Sequence, residues 1–130
     1  MLMLPLNPES VCNLISHARL FHSKEGLVLP DVPDSPADDW GLEALETHEH
    51  DSAFTEFKNT LTDLEPDQQQ AVVALMWLGR GEFAVDEWDM ALEAARESWT
   101  ENTAEYLIAH PQLADFLLEG LDLLGYDCET

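Results

Sequence analysis

Three groups of residues have types that could do chemistry, and each would do a different kind. His48 and His50, within Glu46-Thr47-His48-Glu49-His50-Asp51, form the one local cluster with enough ligand types for a transition metal. A zinc site needs ligands fixed in space, however, and residues two apart point to different sides of a helix. Solvated loop histidines are the simpler reading, so no metal is assigned. Arg80 stands between Gly79 and Gly81, with Trp77 before it and Trp88 after. A guanidinium held this way could clamp the carboxylate or phosphate of a small ligand, since its fork matches both groups. It could equally pair with an acid from another helix or bond the open carbonyls of a helix end. Asp89, Glu93, Glu97 and Glu101 recur every four residues. On a helix they make an acidic stripe whose like charges repel by a few tenths of a kcal/mol per pair. Only Arg96 is near enough in sequence to offset them. This stripe is the best candidate for a basic partner or for phosphate mimicry, with a solvated helix face as the plain alternative.

Other chemistries find no foothold. No nucleophile, histidine and acid stand at a recognisable spacing, and there is no phosphate-binding glycine loop or paired-histidine metalloprotease motif. An enzymatic role and a cofactor are not expected. Cys12 and Cys128 lie near opposite ends of the chain and form no disulfide framework, so reduced thiols in the cytoplasm are expected. Cys12 reads as a small buried hydrophobe. His110, before Pro111, reads as a helix-end residue where the negative end of the dipole favours a cation.

The elements that must position these residues are helices. The central stretch, Ala71 to Trp88, opens with eight nonpolar residues, Ala71 to Leu78. They fall on every side of a helix, which should therefore lie in the interior. Glu65-Pro66-Asp67 starts it, with proline at a position that needs no N–H. Gly79 and Gly81 are placed to end it. A second helix should begin near Val85-Asp86 and carry Trp88, Leu92, Ala95 and Trp99 at helical spacing. The glycine-arginine-glycine corner invites comparison with a calcium-binding helix–loop–helix. With Gly81 at the loop glycine, the ligand positions become Met76, Leu78 and Arg80, which offer no hard oxygen.

Around this hairpin the chain adds further helices. Asn7-Pro8-Glu9 starts one that runs from Pro8 to about Lys24, with Val11, Leu14, Ile15, Ala18 and Phe21 on one face. Residues 26–50 read as an acidic loop containing Pro30, Pro33 and Pro36, with at most a short helix around Asp39 to Glu46. There Trp40, Leu42 and Leu45 would clip onto the core, or Trp40 would dock a partner. Asp51-Ser52 caps a helix carrying Phe54, Phe57, Leu61 and Leu64. A short helix from Asn102-Thr103 stops at His110-Pro111, and a last one carries Leu113, Phe116, Leu117, Leu121 and Leu124. Gly120 costs that helix about 1 kcal/mol against alanine, which a close helix–helix approach would explain. The expected fold is all-α: a single domain over residues 1–130, built as a compact bundle of about six helices.

Trp77-Leu78-Gly79-Arg80-Gly81-Glu82-Phe83, with Glu87-Trp88 just after, resembles a family of small bacterial proteins known only as a domain of unknown function. Thr103-Ala104-Glu105-Tyr106-Leu107 and Glu119-Gly120-Leu121 fit the same pattern. The resemblance runs from about Asp51 onward. It implies an all-helical bacterial domain and carries no activity or catalytic residue with it.

Charge bounds the partners. Twenty-seven acids face five bases, a formal net charge of −22. Direct nucleic-acid binding needs a basic footprint and anionic membranes repel such a surface, so neither is expected. No run approaches the roughly 18 apolar residues of a membrane span. The expectation is a cytoplasmic interaction module or small regulator that meets a basic protein. A small-ligand or metal-binding domain and a nucleic-acid mimic are the alternatives. Self-association is left open.

Overall fold

At two helix starts a proline and a side-chain hydrogen bond set where the helix begins. The computed structural model describes residues 6–25, 52–100, 102–110, 112–126 and 128, and among them are six α-helices and no strand. Helix α1 spans Pro8–Glu25. The Asn7 carboxamide oxygen accepts the Glu9 N–H at 2.9 Å, and Pro8 fills a first-turn position where no N–H is needed. Its face of Val11, Leu14, Ile15, Ala18 and Phe21 is buried throughout. Helix α2, Ser52–Thr62, buries Phe54, Phe57 and Leu61. The Phe21 and Phe54 rings meet at 5.9 Å between centroids, joining α1 to α2.

Helix α3, Pro66–Arg80, is the interior element. Every residue from Ala71 to Leu78 is buried, because α4, α5 and α6 all pack against it. At its start the Glu65 N–H donates to the Gln68 side-chain oxygen at 3.0 Å. Gly79 does not end the helix, contrary to expectation. It lies inside it, where a β-carbon would collide with the backbone carbonyl of Phe116 on the last helix. Gly120 on that helix faces the Leu75 carbonyl in the same way. The two backbones therefore approach across a pair of glycines, one from each helix, and the expected close approach at Gly120 is observed. Gly81 alone terminates α3, with φ 87°. Its N–H bonds Leu78 O at 3.1 Å and the Glu82 N–H bonds Trp77 O at 3.0 Å, closing a Schellman turn.

A single 3₁₀ turn, Val85–Glu87, leads into α4, Trp88–Ser98, which buries Trp88, Ala91 and Ala95. Just past its end, the Trp99 indole N–H donates to the Gln69 side chain at 3.4 Å. Helix α5 is Thr103–Ile108 and α6 is Leu113–Leu124. A second Schellman turn at Gly125, φ 91°, reverses the chain after α6. One contiguous core draws on all six helices. None of the described helices is long and apolar enough to cross a membrane.

The cysteines correct the sequence reading. Cys12 and Cys128 are joined by a disulfide across 116 residues, with their Cα atoms 5.6 Å apart. Helix α1 packs along both α2 and α6, which brings Cys12 to the turn that follows α6. Local motif reading could not anticipate that residues 12 and 128 meet. Trp40, the short helix around it, His48, His50 and Glu101 lie outside the described residues.

Candidate functional site: the Trp77–Arg80 corner

The Schellman turn at Gly81 holds the end of α3 so that Trp77 and Arg80, three residues apart, leave the helix on one side. The Trp77 indole N–H donates to the Tyr106 hydroxyl at 2.9 Å inside the core. Phe83, returning from the turn, lies 6.2 Å from the Trp77 ring centroid. Arg80 reaches the same region of α5: its Nη1 lies 3.3 Å from His110 Nε2, and its Nη2 lies 3.8 Å from Glu82 Oε1.

The histidine's role follows from its other nitrogen. His110 is buried, and its Nδ1 is 2.8 Å from the Tyr106 carbonyl oxygen, which can only accept. Nδ1 therefore carries the hydrogen. In the neutral ring Nε2 is then an acceptor, and the Arg80 guanidinium donates to it. The His110 ring also meets Tyr106 edge-on at 4.9 Å. His110 lies just past the end of α5, as expected of a helix-end residue, and its ring joins the last turn of that helix to Arg80.

Of the predicted ligand-binding residues, Trp77 and Arg80 come together and Trp88 joins them only through the core. Trp88 is 2% exposed, and its indole N–H is buried without a hydrogen-bond partner among the described residues. Arg80 keeps 22% of its side-chain surface exposed, while its guanidinium is turned onto His110 and Glu82. As built, the corner ties the end of α3 to α5. Sequence reasoning missed Tyr106 and His110 as its members. Their spacing of four across the end of a short helix was the available signal, but nothing local pointed to Arg80, 30 residues away.

The acidic stripe takes the opposite environment. Asp89, Glu93 and Glu97 are all exposed on the outer side of α4. Arg96 pairs with Glu93, and neither Asp89 nor Glu97 has an ion-pair partner among the described residues. Met90, 58% exposed, stands among them. No group of three or more metal-ligating side chains occurs among the described residues.

The helices from α2 to α6 correspond to a known protein family. Residues 54–126 fit the family described as "Protein of unknown function (DUF3775)", and the chain belongs to it. No curated protein and no solved structure matches the chain. The matched segment begins in α2 and ends at Tyr126, so α1, Cys12 and Cys128 all lie outside it.

Proposed function

We propose that this protein is an interaction module of the bacterial cytoplasm that binds a basic protein segment through the outer face of α4. The observation that carries this reading is Met90, the most exposed large hydrophobic side chain among the described residues, flanked on the helix by the exposed carboxylates of Asp86, Asp89, Glu93 and Glu97. An apolar, flexible side chain within a negative field suits a partner that offers lysines or arginines around an apolar contact. The small-ligand alternative draws less support, because Arg80 already donates to His110 and sits within reach of Glu82. A cytoplasmic setting calls for a disulfide that is opened and re-formed, not a permanent one.

The test compares capture from lysate of the source cells by the wild type and by Asp89→Lys/Met90→Ser/Glu97→Lys. All three positions are exposed, so the variant should fold. A stoichiometric protein that survives nuclease treatment, is held by the wild type and is lost from the variant supports the reading. Equal retention by both removes the α4 face from it.

A further inference from the structure

We infer that the Cys12–Cys128 bond is a reversible redox site, opened by cationic thiols that enter a groove along α6 and attack Cys128. The groove has a volume of about 640 Å³, and Cys128 forms part of its wall. Leu118, Leu121 and Tyr126 supply its apolar lining. Cys12, on α1, does not contribute to that lining, so a small thiol meets the bond from the Cys128 side. Asp115, Glu119 and Asp122, at helical spacing on α6, complete the groove. All three are exposed and none has an ion-pair partner among the described residues. Their field opposes an anionic reductant such as glutathione and favours one whose ammonium group offsets its thiolate.

The reaction consumes two thiols and transfers two electrons. The first reductant attacks the Cys128 sulfur as its thiolate, the S–S bond breaks, and Cys12 leaves as a thiolate that takes up a proton. A second reductant thiolate attacks the reductant's own sulfur in the mixed disulfide. Cys128 is released and protonated, and the reductant departs as its disulfide.

Breaking the bond has a local consequence. Both cysteines lie outside the family segment 54–126, which itself contains α3 and the helices α4, α5 and α6 that surround it. Reduction removes the covalent tie between α1 and the segment after α6, while the buried face of α1 keeps its packing on α2 and α6 and the α3–α6 glycine crossing stays closed.

The experiment uses the full-length oxidised protein with cysteamine and with glutathione, under native conditions and in urea. Aliquots are quenched by alkylation and mapped by mass spectrometry. The expected result is an adduct on Cys128. The native cysteamine-to-glutathione rate ratio should exceed the ratio on the urea-unfolded chain several-fold. That excess should shrink in about 0.5 M salt and in the Glu119→Gln/Asp122→Asn variant. Amide exchange after reduction should rise in α1 and beyond Leu124 while α3 stays protected. Adducts on Cys12, equal ratios in native and unfolded protein, or loss of protection throughout α3 would each overturn the inference. So would alkylation of both cysteines before any reductant is added.

Discussion

At the scale of single residues, two kinds of contact leave no room for substitution. Gly79 and Gly120 meet backbone carbonyls on the opposing helix, and a carbonyl cannot rotate out of the way as a side chain can. Alanine at either site gains about 1 kcal/mol of helix propensity but must push α3 and α6 apart. Overpacking of this kind costs about 1–3 kcal/mol, so Gly79→Ala and Gly120→Ala should both lower stability in urea denaturation. An increase in either variant would mean that the helices are not in backbone contact. Tyr106→Phe probes the corner in another way. It keeps the ring but removes the acceptor of the buried Trp77 indole N–H. An orphaned buried donor costs about 1–3 kcal/mol, measurable by the same denaturation. These residues also mark the limit of sequence reading. The need for a glycine at 120 was visible as a propensity defect inside an apolar helix. Gly79 was not legible, because a glycine near a helix end reads as a cap until the neighbouring helix is known.

At the scale of elements, the periodic apolar pattern carried nearly everything that was legible. α3 is buried all round because its eight nonpolar residues leave no polar face to turn outward. The starts of α1 and α3 follow from Asn7-Pro8 and Glu65-Pro66, where local chemistry alone suffices. What sequence could not supply is which helices touch: Arg80 finds His110, and Lys58 on α2 finds Glu105 on α5 at 2.9 Å, both through tertiary packing. α4 behaves as its stripe of acids implies. Glu93 and Glu97 are one turn apart, and among the described residues Arg96 pairs only with Glu93. Glu97→Lys converts a repulsive i,i+4 pair into a favourable one and should stabilise the protein by about 0.5 kcal/mol in low salt. The gain should fade as salt is added, as thermal melts at two ionic strengths would reveal. A gain that does not change with salt would point away from charge.

For the whole molecule, two global properties set the response to conditions. A net charge of −22 makes self-repulsion a general cost, so the wild-type melting temperature should rise from low to moderate salt. A flat profile would count against repulsion as a significant term. The disulfide acts in the opposite sense, restraining the unfolded chain across 116 residues. In the chain-entropy description such a closure contributes about 4–5 kcal/mol, so Cys128→Ser should lower the urea midpoint markedly without abolishing the cooperative transition. The bundle itself was legible in the sequence, whereas the pairing of its ends was not. Pairing depends on α1 lying along α6, which no local pattern encodes. The most direct test of the proposed function is an amide-resolved NMR titration of the protein with the partner it captures. If the outer face of α4 is the docking surface, shifts should concentrate between Asp86 and Glu97 and weaken with salt. Shifts centred on Trp77, Arg80 and His110, with α4 unmoved, would contradict it and restore a ligand role for the corner.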